Sequence, residues 1–309
     1  MGEDGSAATA APKPTGTLRL GRRTFPPGAH AVMAVVNRTP DSFYDRGATF
    51  AFDAALKAVD AAVEQGADII DVGGVKAGYG DPVPPEEEIR RTVPFVTELR
   101  RRHPDVVISV DTWRAEVGEQ CARAGADLIN DTWAGADPDL ARVAAEFGTG
   151  LVCSHSGGLA PRTDPHRVAY ADVVADVVAM VTGLAERAVT LGVHPDRILI
   201  DPTHDFGKNT YHSLELTRRL GELVATGWPV LVAVSNKDFI GETLDAPVSD
   251  RLSGTLAVLA VSAWQGARVF RVHDAAAARA ALDTVARLGP TMADRPPALE
   301  GAARADGGR

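Results

Sequence analysis

The chain has 309 residues, 45% of them hydrophobic and 24% charged, a globular composition that supplies a sizeable core and excludes wholesale disorder. Its 32 basic and 41 acidic residues give a formal charge of −9, and an acidic surface argues against a nucleic-acid binder, which needs a basic face to neutralise phosphates. The longest mostly apolar stretch, Gly254 to Trp264, is too short to span a bilayer, and the N-terminus has no apolar signal core, so a cytoplasmic protein without membrane contact is expected.

In chain order, residues 1–16 are small, polar and proline-bearing and are expected to form a disordered leader. Leu18 to Phe25 alternates apolar and polar residues about Gly21-Arg22, which predicts a small hairpin. From Ala31 onward, β-branched runs alternate with alanine-rich helical stretches. Eight strands are predicted, at Val32–Val36, Ile69–Val72, Val107–Val110, Leu128–Ile129, Leu151–Cys153, Ile198–Ile200, Val230–Val234 and Val269–Val272. Between the first two, Asp53 to Gln65 sets Leu56, Val59 and Val63 on one helical stripe. Strands that are apolar on nearly every residue and separated by helices are parallel and covered on both faces. Eight in one domain, residues 17–288, predict an α/β fold of the closed (β/α)8 TIM-barrel type. Residues 289–309, with Pro290, Pro296 and Pro297, are expected to form a loose tail.

An internal repeat supports the barrel. Gly66-Ala-Asp-Ile-Ile-Asp71, Gly125-Ala-Asp-Leu-Ile-Asn130 and Gly266-Ala-Arg-Val-Phe-Arg271 share one plan. A glycine ends the helix, two apolar residues make the strand, and a polar side chain follows towards the strand's C-terminal end. Barrel enzymes build their sites at that end. All eight strands deliver polar groups there: Asn37, Asp71, Asp111, Asn130, Ser154-His155, Asp201, Ser235 with Lys237, and Arg271 with His273. A single aspartate after a strand is ordinarily a helix cap, but caps do not call for Lys, Arg and His at the same level. Carboxylates facing cations suit a polar heterocycle that carries an anionic leaving group. One carboxylate can accept two adjacent N–H groups of a guanine-like edge. Arg271 and His273 would face an anion, and Asn37 could hold phosphate oxygens or a magnesium ion.

Other chemistries are absent from the sequence. It holds no HExxH, GxxxxGK[ST] or GxSxG motif, which removes zinc-protease, P-loop and nucleophile-elbow readings. Cys121 and Cys153 offer neither a disulfide framework nor metal-ligand spacing. Only five of the 32 basic residues are lysines, and three of these, Lys76, Lys208 and Lys237, fall in or beside the strand-end blocks.

Those blocks are Asn37-Arg-Thr-Pro-Asp-Ser-Phe43, Asp68-Ile-Ile-Asp-Val-Gly-Gly74, Ser109-Val-Asp-Thr112, Ile129-Asn-Asp131, Asp201-Pro-Thr-His-Asp-Phe-Gly-Lys208, Ser235-Asn-Lys-Asp-Phe-Ile-Gly241 and Arg271-Val-His-Asp274. In this order, from about Ala31 to Leu288, they resemble the dihydropteroate synthase family, most of all its divergent second homologue in actinobacteria. The resemblance implies a pterin-binding barrel, usually a homodimer, in which an aryl amine, p-aminobenzoate, displaces pyrophosphate from a hydroxymethyl-dihydropterin. It implies that Asp111, Asn130, Asp201 and Lys237 hold the pterin. Asn37, Arg271 and His273 would hold the pyrophosphate with magnesium, and Phe206 would flank the amine.

The departures from the family are concentrated. Where the family has Glu-Ser-Thr-Arg-Pro-Gly after the paired glycines, this chain has Val75-Lys76-Ala77-Gly78-Tyr79-Gly80. The family's Ser-Arg-Lys-Ser becomes Ser235-Asn236-Lys237-Asp238, and Arg38 replaces an apolar residue. The pterin half of the site is thus expected to be intact and the second-substrate half rewritten, with synthase activity weak or altered. Lys76 and Asp238 are expected to approach each other across the mouth, pairing or touching a different second substrate. Two other readings stand beside this one: a non-catalytic paralogue that binds a pterin or a partner, and a pterin-binding methyltransferase barrel.

Overall fold

The computed structural model describes residues 16–39, 51–76, 78, 80–163 and 169–288. Nearly all of the expected leader and tail, residues 40–43 of the first block, and Ala77 and Tyr79 of the rewritten loop lie outside the described residues.

All eight predicted strands are present. They are β3 (Ala31–Asn37), β4 (Ile69–Gly73), β5 (Val107–Asp111), β6 (Leu128–Asp131), β7 (Gly150–Ser154), β8 (Ile198–Asp201), β9 (Leu231–Val232) and β10 (Val269–Val272). They run parallel in the order β8-β7-β6-β5-β4-β3-β10-β9. An Ile200–Val230 bridge joins the two ends of that order and closes the barrel. The last strand but one is shorter than the expected Val230–Val234, because the chain turns after Val234 with Lys237 N bonded to Val234 O at 3.2 Å and Asn236 at φ 57°.

Around the strands lie α1 (Phe52–Glu64), α2 (Pro85–Arg102), α3 (Ala115–Arg123), α4 (Leu140–Phe147), α5 (Val173–Thr190), α6 (Thr210–Arg218), α7 (Leu220–Val224), α8 (Asp238–Leu244), α9 (Leu252–Trp264) and α10 (Ala275–Leu288). In α1, Leu56 and Val59 are buried, as the stripe predicts. Alternation along each strand makes two cores. Val32, Ala34 and Val36 face the helices, whereas Met33 joins Ile69, Val107, Leu128, Leu199 and Val269 inside the barrel.

The predicted hairpin, β1 (Leu18–Leu20) with β2 (Arg23–Phe25), closes the barrel base. Its Leu18 and Leu20, both 0% exposed, complete the inner core from below. The repeat explains how this end is tied. The carboxylates of Asp68 and Asp127 accept from the backbone N–H groups of Val32 at 3.0 Å and Ile108 at 2.9 Å. The third repeat has Arg268 instead, whose guanidinium donates to the carbonyls of Gly16, Phe25, Pro26 and Ala29 and so fastens the hairpin. Truncating the plug by Leu20→Ala is expected to lower stability by about 2–5 kcal/mol, read as a fall in urea midpoint without loss of the barrel's circular dichroism.

Candidate active site

The three repeats that tie the base also build the opposite rim. Their terminal residues Asp71, Asn130 and Arg271 meet each other: Arg271 Nε donates to Asp71 Oδ2 at 2.6 Å, and Asn130 Nδ2 to the same carboxylate at 3.3 Å. Ser109 Oγ adds a bond to Asp71 Oδ1 at 2.5 Å. A second arm of Arg271 reaches Asp111 Oδ2 at 2.9 Å, while Asp111 Oδ1 accepts from Thr132 at 2.7 Å. Burial pushes the Asp111 carboxyl above the usual carboxylate range, and the Arg271 guanidinium only partly reverses that.

Above this floor opens a cavity of about 410 Å³. Every candidate residue lines it: Asp111, Asn130, Asp201 and Lys237; Asn37, Arg271 and His273; Phe206, Lys76 and Asp238. Other members of the polar ring do not. Asp71 lies beneath Arg271 with no exposed surface, and Ser235 holds the His273 ring through Nδ1 at 3.0 Å. His155 turns away from the cavity to Asp176 on α5, Nε2 to Oδ1 2.7 Å.

The loop after β8 positions one wall. Thr203 and Asp205 take φ values of 52° and 69°, uncommon for residues with a Cβ and most of all for a β-branched one. Hydrogen bonds hold both: Thr203 N to Asp201 Oδ1 at 2.7 Å, and Asp205 N to Ser213 Oγ at 3.1 Å. Buried Lys208 clamps the loop, its Nζ donating to the carbonyls of His155, Thr203 and Phe206 at 3.1, 3.1 and 2.8 Å. Phe206 is thereby set edge-on to Trp133 at 5.3 Å, with Lys237 Nζ 5.0 Å from its ring centre. Burial lowers the Lys237 ammonium, and Asp205 and Asp201 counter it; burial raises Asp201, and Lys237 counters that.

The sequence reading missed Trp133, Thr132 and Asp205, all of which line the cavity. Trp133 follows the Ile129-Asn-Asp131 block and is placed by Asp131, whose carboxylate accepts from Trp133 N at 3.0 Å and Gly135 N at 2.7 Å. Its position just past a strand end was the available signal. The expected pairing of Lys76 with Asp238 is not formed. Asp238 is bonded instead to Arg251 NH1 at 2.8 Å.

The described residues do not fit a resident magnesium ion. Among the described residues no three His, Cys, Asp or Glu side chains are grouped so that they could hold a metal ion. Asn37, the residue that the resemblance assigns to magnesium, would contribute one neutral amide oxygen, well short of the oxygen set that magnesium requires.

A closed barrel with a polar cavity at the C-terminal ends of its strands defines a small-molecule-binding protein of the barrel-enzyme class. Comparison narrows the class: residues 33–273 match the model of the pterin binding enzyme family. The chain is 58% identical over 270 residues to the inactive dihydropteroate synthase 2 of Mycobacterium leprae, covering 86% of this chain and 92% of that one. It is 38% identical over 244 residues to the dihydropteroate synthase of Escherichia coli K12, covering 79% of this chain and 86% of that one. The crystal structure of the Yersinia pestis dihydropteroate synthase, solved as a sulfonamide drug complex, superposes with a TM-score of 0.83 at 34% identity, covering 88% and 98% of the two chains. The chain belongs to the pterin binding enzyme family.

His155 supplies a test of the wall behind the cavity. Burial first, then the charge of Lys208, push its imidazole down to about 4. The unfolded chain takes up this proton near pH 6.5 and the folded chain not until about pH 4, so the residue withdraws stability as pH falls between those values. The stability advantage of the parent over His155→Gln is expected to shrink by about 2 kcal/mol from pH 7.5 to pH 5, measured by urea unfolding at both values.

Proposed function

We propose that this chain is a dihydropteroate synthase-type protein that binds a pterin and its pyrophosphate, with weak or absent condensation activity. The observation that carries the reading is the convergence of every candidate residue on one cavity. Asp201 and Asp111 accept from the donor edge of the pterin, and Asn130 and Lys237 serve its carbonyl and ring nitrogens. Arg271 spends two of its five N–H donors on Asp71 and Asp111, which leaves three for the pyrophosphate beside His273 and Asn37. Magnesium, in this reading, arrives with the pyrophosphate rather than residing on the protein.

In the synthase reaction the carbon losing pyrophosphate acquires cationic character. The site must therefore stabilise the departing anion and orient a weakly nucleophilic neutral amine. The floor retains the groups for the first task. The second depends on the rewritten loop at Val75, Lys76 and Gly78 and on Asp238, which Arg251 holds. The name of the Mycobacterium leprae relative supports the loss of turnover; the Escherichia coli relative and the Yersinia pestis drug complex support the ligand class.

We further propose a cytoplasmic homodimer. Helix α9 is apolar nearly all round, and Val261 and Trp264 on it are 49% and 62% exposed. Tyr211 of α6 and Leu244 of α8, on helices that pack beside α9, are also exposed. A polar solvent face on those helices would need no cover; this one does. Trp264→Arg is expected to convert the protein to a monomer in sedimentation velocity.

Two experiments test the ligand reading. Removing one partner of a buried charged bond costs about 1.5–3 kcal/mol, so Asp201→Asn should weaken pterin binding by roughly tenfold or more in calorimetry. A parent protein that binds no pterin would end the proposal. Restoring the family's residues together, by Lys76→Ser, Ala77→Thr, Gly78→Arg and Asp238→Ser, should raise pteroate formation above the parent. An unchanged rate would show that these loops are not what separates the chain from active synthases.

A further inference from the structure

The base of the barrel carries a second cavity, of about 290 Å³, and the third repeat explains its place. Beneath the first two repeats charged side chains meet: Asp68 pairs with Arg23 and Arg279, and Asp127 with Arg100. The third has Arg268, which turns to the hairpin carbonyls instead. Beside it the cavity opens between Val224, Trp228 and Pro229, ahead of β9, and Ala263 near the end of α9. Gly28 marks its open side, where an added Cβ would meet nothing within 4 Å. One polar side chain joins this apolar wall. His30 lines the cavity, and its buried Nδ1 has no hydrogen-bond partner among the described residues. The ring is fixed edge-on to Phe270, with centroids 5.7 Å apart and planes at 87°. Burial lowers the imidazole, a hydrogen bond to the Leu282 backbone opposes that, and the charges of Arg268 and Arg279 lower it further. The ring is therefore neutral at physiological pH. With Nδ1 unpartnered, the bond to Leu282 falls to the other ring nitrogen as donor, which makes Nδ1 a bare acceptor. Arg268 spends four of its five donors on carbonyls, and one N–H is too few for the two-pronged grip of a carboxylate or phosphate.

We propose that this cavity is a second small-molecule site, for a neutral aromatic compound whose N–H or O–H group donates to His30 Nδ1 while its ring lies against Trp228 and Pro229. A mostly apolar hollow with one oriented polar group is the usual form of such a site, the apolar wall supplying affinity and the polar atom orientation. Aromatic rings with a polar handle suit it, because they bury a large apolar face and bring one donor. A buried acceptor left without a donor is costly, so a ligand that lacks the donor gives up affinity even where its ring fits. The site shares no lining residue with the strand-end cavity, and its occupant need not resemble a pterin.

Indole and 1-methylindole test this, since they share a ring system and differ in the donor. Each is titrated by calorimetry into the full-length protein and three variants. His30→Phe keeps an edge-on ring and removes the acceptor, Ala263→Phe fills the cavity from α9, and Phe206→Ala alters only the strand-end cavity. The parent is expected to bind indole about tenfold more tightly than 1-methylindole. His30→Phe should bring indole down to the level of 1-methylindole, Ala263→Phe should abolish binding of both, and Phe206→Ala should change neither. A parent that binds no indole, or binds the two compounds equally, would overturn the proposal and leave the cavity a packing feature of the barrel base. Indole binding that survives Ala263→Phe and is lost in Phe206→Ala would also overturn it, by placing the ligand at the strand ends. Should either base variant fail to fold, the His30 ring resonances of the parent read the same contact by NMR: they are expected to shift with indole, and no shift at saturation would sink the site.

Discussion

One guanidinium organises the upper half of the barrel. Arg271, at the end of the last strand, is bound at once to Asp71 of the second barrel strand and Asp111 of the third. Asp71 has no exposed surface, so its charge is tolerable only while Arg271, Ser109 and Asn130 surround it. Removing one member would strand a buried charge and cost far more than an exposed ion pair is worth. The same interaction sets the height at which the apolar interior stops. Below it Met33, Ile69, Val107 and Leu128 fill the barrel; above it the cavity opens, its polar ring walled on one side by Phe206 and Trp133.

From that layer outward, precision comes from loops held in costly conformations. Thr203 and Asp205 sit in the left-handed region, where each such residue costs on the order of 1–3 kcal/mol. Lys208 offsets this by satisfying three carbonyls from two loops at once. A compact ammonium can make three bonds in three directions where a planar guanidinium cannot. That geometry explains why a chain so poor in lysine keeps one here. Its reward is the placing of Phe206 against Trp133 and under Lys237.

How much of this the amino-acid sequence revealed follows from where each signal resides. The eight strands were legible because parallel strands covered on both faces are apolar at nearly every position. The floor was legible because the repeat places Asp71, Asn130 and Arg271 at one register, and their contact confirms that spacing. The partner of Asp238 was not legible. Arg251 lies between α8 and α9 among ordinary surface residues, and its bonds to Ala246 O and Asn236 O arise only when the loop folds back. Gly241 permits that return, since a Cβ there would lie 2.3 Å from the Arg251 guanidinium. His155 was misplaced because strand-end position fixes the level of a side chain but not which way it turns once the strand has ended.

The floor and the rim answer to different constraints. Arg271, Asp71 and Asp111 hold the barrel together, and Arg271 and Asp111 also face the cavity, so fold stability preserves them whether or not catalysis continues. Lys76 and Asp238 carry no such burden: Asp238 is an exposed partner of Arg251, and exposed pairs contribute about 0–1 kcal/mol. A chain relieved of one reaction can therefore change its mouth freely while its floor stays fixed. Among the described residues, the departures read from the sequence at Val75, Lys76, Gly78 and Asn236 lie in loops, Asp238 opens α8 and Arg38 directly follows β3, while Asp71, Asp111 and Arg271 are kept. It also follows that a polar floor alone cannot distinguish a working synthase from a descendant with another ligand.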